Sequence, residues 1–237
     1  MSSNLTRPLS ILTFATDFSI LFLSTPRLCL WPDEVFCYNR VMNQNILFVD
    51  GENFLHKVED VLKEEKVDLR KVDLGKIDLN SLIKTSLKSF KIKRKIFYVA
   101  RLHFNQETGK KSSELINFQR RLKTNLEKQG FKFLIAGNVR AQIVKVDHKT
   151  KVIFREKGVD VKIAVDLISY TADKLLETAI LCSSDSDLQP AVKELHKRKV
   201  EVVYLGFEIN PNKGLTYTAN HTILFRNSEI TKACSKK

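Results

Sequence analysis

The chain has 237 residues, enough to bury a full core within one catalytic-sized domain. Forty Lys and Arg against 27 Asp and Glu give a formal net charge of +13, which favours a polyanionic partner, nucleic acid first among them. The four cysteines have neither CxxC spacing nor the density of a secreted disulfide scaffold, which argues against a zinc module and a disulfide-held fold.

Residues 1–41 differ in composition from the rest. Arg7, Arg27 and Arg40 balance Asp17, Asp33 and Glu34, so the whole excess of charge lies in residues 42–237. The segment has no lysine, yet it holds Trp31, Pro8, Pro26, Pro32, Cys29 and Cys37. Only Met1 and Met42 are methionines, and the second stands just before an apolar strand. We read Met42 as the natural start and residues 1–41 as an atypical extension, disordered or foreign to the native protein. A signal peptide is the rival reading, with Arg7 as its basic region and Ile11–Leu23 as its apolar stretch, but Asp17 interrupts that stretch and no clear cleavage site follows. Asp17 and Arg27 leave far fewer than the roughly 18 apolar residues that a membrane span needs, so no membrane association and a cytoplasmic location are expected.

From Met42 onward the pattern alternates. Ile46–Val49 reads as a short buried strand, and Phe54–Lys66 carries apolar residues at helical spacing. The triplets Val67–Leu69, Val72–Leu74 and Ile77–Leu79 form a near-repeat too short for a solenoid unit; we read it as a decorated connection whose acidic residues sit in loops or caps, with Asp78 or Asn80 capping a helix over Ser81–Phe90. Lys95–Ala100 is a second strand, and a helix capped by Ser112 or Ser113 runs to Gln129 on the stripe Leu115, Phe118, Leu122 and Leu126. Phe131–Ala136 is a third strand, and Val139–Arg155 suggests a hairpin around Asp147–Thr150. A helix over Val159–Leu176, a buried strand over Thr178–Cys182, a helix over Leu188–Lys199 with Pro190 in its first turn, and a strand over Val200–Leu205 complete the alternation. Thr222–Phe225 reads as an edge strand and residues 227–237 as a frayed basic tail after a domain spanning 42–226. The fold class is therefore α/β, a mostly parallel sheet with helices on both faces. Cys182 ends an apolar run and reads as a small core residue.

Four aspartates, Asp50, Asp160, Asp185 and Asp187, stand where apolar runs meet turns or helix starts. In a parallel sheet such positions line the crevice at the carboxyl ends of the strands. Carboxylates gathered there repel one another unless a divalent cation neutralises them, and ligation by oxygen alone points to Mg2+ or Mn2+. The chemistry that follows is metal-assisted phosphodiester hydrolysis. Taken singly, each aspartate also fits a turn or cap, Asp187 at the helix from Leu188 in particular.

Three segments, Phe48-Val49-Asp50-Gly51-Glu52-Asn53, then Lys157–Asp166, then Cys182-Ser183-Ser184-Asp185-Ser186-Asp187-Leu188, together resemble the ordered signatures of NYN domains, a family of the PIN-like nuclease superfamily. The resemblance covers about Asn45 to Phe225. It implies a Rossmann-like (PIN-like) fold and a metal-dependent ribonuclease, places the acidic cluster on Asp50, Asp160, Asp185 and Asp187, and gives Asn53 the task of orienting substrate or water. Asp166 fits the same motif but lies about 120° around the helix from Asp160, which makes it a helix-face residue instead of a ligand. Ser184 stands where the family usually has glycine, so some turn strain is expected there.

Arg101, Lys110, Lys111, Arg120, Arg121 and Lys123, then Arg140, Lys145, Lys149, Lys151 and Arg155, with Lys157, form basic stretches suited to RNA phosphates. Tyr98, Phe104 and His148 are candidates for stacking on bases. The leading reading is an endoribonuclease that prefers single strands; the alternative is a catalytically weak RNA-binding or adaptor module of the same fold. A nucleotide-binding domain is weaker, because no glycine-rich phosphate loop follows the first strand. Self-association is left open by the sequence.

Overall fold

The structure, a computed structural model, describes residues 44–104, 109–146 and 149–235, and the side chains of all of these except 140–155. The expectations for residues 1–41 and for His148 lie outside the described residues.

Seven strands make one sheet: β1 (Gln44–Asp50), β2 (Ile92–Arg101), β3 (Lys132–Val146), β4 (Lys149–Lys157), β5 (Leu176–Cys182), β6 (Glu201–Phe207) and β7 (His221–Phe225). Their order across the sheet is β4-β3-β2-β1-β5-β6-β7, parallel throughout except where β4 folds back antiparallel on β3. The helices are α1 (Gly51–Glu64), α2 (Leu79–Ser86), α3 (Gly109–Lys128), α4 (Val159–Ala172), α5 (Gln189–Lys197), α6 (Lys213–Thr218) and α7 (Asn227–Cys234). The expected α/β architecture is present.

The central strand shows why both faces must be covered. Side chains alternate across a strand, so Leu47 and Val49 enter a core with Phe54, Val58 and Leu62 of α1, Leu82 of α2 and Ile230 of α7, while Ile46 and Phe48 enter a second core with Ile163 and Leu167 of α4, Val192 of α5 and Leu215 of α6. A run of four apolar residues thus signals a strand buried on two sides.

The near-repeat resolves into three capping steps. The Asp68 carboxylate accepts from Arg70 N, Asp73 from Gly75 N and Asp78 from Ser81 N, so each aspartate starts a short helical segment, the first two being 3-10 turns and the third α2. Asn80 is not the cap; its side chain takes the Lys95 ammonium at 2.9 Å. α2 stops at Ser86, short of Phe90.

Elsewhere boundaries move for identifiable reasons. Among the described residues α3 covers Gly109–Lys128, so Ser112 and Ser113 lie inside it, and the Ser112 hydroxyl donates back to Gly109 O. Along its stripe only Leu122 and Leu126 are fully buried. α4 ends at Ala172 because Lys174 takes φ 55°, and Leu176 already belongs to β5. The third strand and the hairpin's first arm are one strand, β3. It kinks away from β2 at Gly137, where φ is 70° and any Cβ would collide with Lys157 O. The expected frayed tail is instead helical over Asn227–Cys234, with Ile230 and Ala233 buried and the Asp78 amide bonded to Ala233 O at 3.1 Å. α6, begun by an Asn212 cap, had no apolar periodicity long enough to announce it.

Candidate metal centre

Strand order reverses between β1 and β5. α1 leaves β1 toward one face and α5 leaves β5 toward the other, which opens a crevice at their carboxyl ends.

Asp50 is the last residue of β1 and the N-cap of α1. Gly51 must follow it, because a Cβ there would strike the Phe97 ring and Tyr98 O. The Asp50 side chain is buried, with Asn53 N donating to Oδ1 at 3.2 Å and the Ser183 hydroxyl to Oδ2 at 3.0 Å. Burial outweighs those two hydrogen bonds and, helped by the charges of Asp185 and Glu52, pushes the carboxyl up to about 6 from its ordinary 3.8.

The loop after β5 is organised by its own side chains. Asp185 N donates to Ser183 Oγ at 3.1 Å, and Asp185 Oδ1 accepts from Asp187 N at 2.9 Å, capping the 3-10 turn Ser186–Leu188. The cap is therefore Asp185 and not Asp187; the N-cap of α5 is Leu188, which makes no side-chain cap bond. The Asp187 carboxylate is exposed and has no capping duty. Ser184 carries no strain, since the described non-glycine residues with positive φ are Lys66, Lys174, Lys199 and Asn210. Its amide donates to Asn53 Oδ1 at 2.9 Å, so the Asn53 carbonyl braces this loop.

Asp160 enters from the first turn of α4, which begins after left-handed Gly158. Carboxylate oxygens of Asp160, Asp185 and Asp187 all lie within 4.8 Å of one another, the only such acidic or His/Cys group among the described residues. A cleft of about 530 Å³ runs from this group past Asp50, Glu52, Asn53 and Glu156, with His56, Lys157 and Val161 also lining it. Asp50 joins the group through Ser183 rather than within the tight trio. Among the described residues none of Asp50, Asp160, Asp185 and Asp187 has an ion-pair partner. Three converging oxygen donors without a counter-charge fit a hard divalent cation such as Mg2+ or Mn2+.

Two further carboxylates belong to the cleft and were missed from the sequence. Glu156 is pushed well above the ordinary glutamate range by burial, by a hydrogen bond to Glu52, and by the charges of Glu52, Asp50 and Asp160. Glu52 lies in the first motif, two residues after Asp50; Glu156 ends the hairpin two residues before Gly158, a position whose side depends on a register the sequence does not state.

Other candidates are placed elsewhere. Asp166 is buried, takes the Tyr98 hydroxyl at 2.9 Å and pairs with Lys162, which engages Asp166 away from the acidic trio and removes Tyr98 from any contact with a base. Phe104 is exposed. Arg101 ends β2 and is exposed, Lys110 and Lys111 are exposed at the start of α3, and Lys157 reaches the cleft. Arg121 and Lys123 lie 3.8 Å from Asp73 and Glu127 respectively. Arg140, Lys145, Lys149, Lys151 and Arg155 lie on the β3–β4 ribbon with Arg140 opposite Arg155, their side chains outside the description. Cys182 is buried and its thiol is pushed upward by burial, as a core residue's would be. No described helix is long and apolar enough to cross a membrane.

No curated protein matches the chain. A solved structure of a protein of unknown function from Vibrio parahaemolyticus is similar at 16% identity, covering 79% of this chain and 96% of that one with a TM-score of 0.49. Residues 45–225 match the NYN domain, a span that holds all three motifs, the switch-point crevice and the converging aspartates. The chain belongs to the NYN domain family, and through it to the PIN-like nuclease superfamily.

Proposed function

We propose that this protein is a Mg2+- or Mn2+-dependent endoribonuclease, acting in the cytoplasm on single-stranded RNA. The observation that carries the reading is the convergence of Asp160, Asp185 and Asp187 oxygens within 4.8 Å, beside a cleft lined by Asp50, Asp160 and Asp185, in a chain of net charge +13. Asp160, Asp185 and Asp187 would hold the cation, with Asp50 behind them as a further ligand. A divalent ion there supplies Lewis-acid stabilisation of the phosphoryl oxygens and makes a water more acidic.

The chain's own groups do the rest. Asp50 is fixed by Asn53 N and Ser183, so its free lone pairs face the cleft in one orientation. Glu156, raised by burial and by its hydrogen bond to Glu52, is displaced toward its protonated form beside the cluster. Lys157 at the rim, with Arg101, Lys110, Lys111 and the basic β3–β4 ribbon, supplies phosphate contacts that are indifferent to sequence. An open cleft of this size admits a strand whose bases are unpaired more readily than a duplex.

The test uses the full chain on labelled single-stranded RNA, the same sequence in a hairpin, and single-stranded DNA, in Mn2+, Mg2+ or chelator. The expected result is internal cleavage of single-stranded RNA in either metal, abolished by chelator and lowered at least ~100-fold by Asp160→Asn or Asp185→Asn. Cleavage that survives both substitutions overturns the reading, and tight RNA binding without metal-dependent cleavage assigns the adaptor role.

A further inference from the structure

The metal-binding turn is held from both sides by asparagines, and only one of them lies in a recognised motif. Ser184, immediately before Asp185, gives its N–H to Asn53 Oδ1 at 2.9 Å and receives the Asn212 side-chain amide on its carbonyl at 2.8 Å, so the two peptides that flank it are each held by an asparagine. Asn212 is itself held by two further contacts, and its loop by a third. Its backbone N–H donates to the Tyr204 hydroxyl at 3.0 Å, its Oδ1 accepts from Leu215 N at 2.9 Å as the cap of α6, and its loop is tied to α1 where Lys57 Nζ donates to Asn210 O at 3.2 Å. Tyr204 is buried in the sheet, so the chain of contacts runs from a rigid strand to the peptide that aims Asp185.

We propose that Asn212 is a positioning residue that sets the Asp185 carboxylate against Asp160 and Asp187. The inference rests on the reading of that trio as a cation site. Its logic is geometric: the Ser184–Asp185 peptide has its carbonyl held by Asn212 at 2.8 Å and its N–H held by Ser183 Oγ at 3.1 Å, while Asn53 holds the preceding peptide through Ser184 N, so without Asn212 the link would keep only its Ser183 end and could pivot about it. Asn53 is anchored at the start of α1 and Asn212 at the start of α6, so the turn inherits the relative placement of two helices on opposite faces of the sheet. Partners that orient metal ligands at one remove typically contribute 10–100-fold to metal affinity.

The choice of variant separates this task from the cap. Serine caps helices about as well as asparagine, so Asn212→Ser keeps the bond to Leu215 N and loses only the donor to Ser184 O. Asn212→Asp keeps the cap and the size and places an acceptor against that carbonyl. Leu82→Ala is the reverse control, since it lowers stability by removing a buried side chain from α2, an element that contains neither Asn53 nor Asn212. Mn2+ binding to the full chain is measured directly by electron paramagnetic resonance of free Mn2+, beside thermal melting in chelator. Asn212→Ser and Asn212→Asp are expected to melt close to the parent and to bind Mn2+ ~10–100-fold more weakly; Leu82→Ala is expected to melt lower and bind Mn2+ as the parent does. Unchanged Mn2+ affinity in both Asn212 variants, while Asp185→Asn abolishes it, overturns the positioning role and leaves the cation site standing. A parent protein that binds no Mn2+ overturns both together.

Discussion

Asp50→Asn should make the metal-free protein more stable while destroying its activity. The carboxyl is almost fully buried and sits at about 6 instead of 3.8, so the native state holds on to a proton that the unfolded chain has released. A raised folded pKa means that stability is intact below the ordinary value and is lost as pH climbs through about 6. The displacement of roughly two pH units corresponds to about 3 kcal/mol of penalty at pH 7.5. Asparagine has the same shape, keeps an acceptor for Asn53 N and turns its amide toward Ser183 Oγ, and it carries no charge to desolvate. For a domain of this size each kcal/mol moves the melting temperature by about 2–4 °C, so the variant should melt roughly 6–12 °C above the parent at pH 7.5 in chelator. The advantage should vanish near pH 4, where Asp50 is protonated in the native state. Melting by circular dichroism across pH 4–8 reads both ends of that range. A variant that is no more stable than the parent at pH 7.5, or equally stabilised at pH 4, refutes the view that burial dominates the two hydrogen bonds.

Adding Mn2+ should raise the parent's melting temperature, by about 2.7 kcal/mol of stability at a concentration 100 times Kd, and the gain should be lost in Asp187→Asn although that residue is exposed; an Asp187→Asn protein stabilised as strongly as the parent would remove Asp187 from the site. Glu156→Gln should cancel a loss of stability that the metal-free parent shows as pH rises from the ordinary glutamate range through about 9, because over that span the unfolded chain has released a proton that the buried carboxyl beside Glu52 retains; parallel pH–melting curves for the two proteins would contradict this. Tyr98→Phe should cost about 1–3 kcal/mol by leaving one oxygen of the buried Asp166 without its donor, and should leave Mn2+ affinity unchanged; weakened Mn2+ binding would return Asp166 to the cation site.

The alternation of buried runs and helical stripes made the sheet and its covering helices legible, because Ile46–Val49, Thr178–Cys182 and Val200–Leu205 are apolar on both sides of the strand and only a parallel sheet between helix layers buries them so. The aspartates at strand ends were legible for the same reason. What escaped depended on distance in the chain. Glu156 faces the cleft only because nine pairs of residues register β3 against β4, and Asn212 reaches Ser184 only once α6 has docked on α5. Asp185 rather than Asp187 as the cap is a matter of one rotation within a five-residue loop, which spacing cannot resolve. The tail resembled a frayed end because its helix offers just Ile230 and Ala233 to the core, a stripe too short for periodicity to register.

The electrostatics of the cleft and of the whole molecule have opposite signs, and the contrast bears on substrate binding. An overall charge of +13 draws a polyanion in, with basic residues at the start of α3 and along the β3–β4 ribbon. At the floor of the crevice a bound polyanion would meet Asp50, Glu52, Glu156, Asp160 and Asp185, with Asp187 beside them. Like charges about 4 Å apart repel by about 4 kcal/mol at the effective dielectric near a protein surface, so neither the carboxylates nor an approaching phosphate can settle there unaided. Protonation is one relief, and Asp50 and Glu156 are displaced upward in the direction that takes it. On the proposed reading a divalent cation is the other, and it would turn the floor into a place where a phosphodiester is attracted. Divalent ions should therefore compete with protons at this site: at fixed Mn2+, occupancy should fall as pH drops through about 6, and Asp50→Asn should flatten that dependence even where it weakens binding. Mn2+ titrations at pH 5, 6 and 7.5 decide it, and an occupancy indifferent to pH in the parent would show that the buried aspartate does not share the cation with the trio.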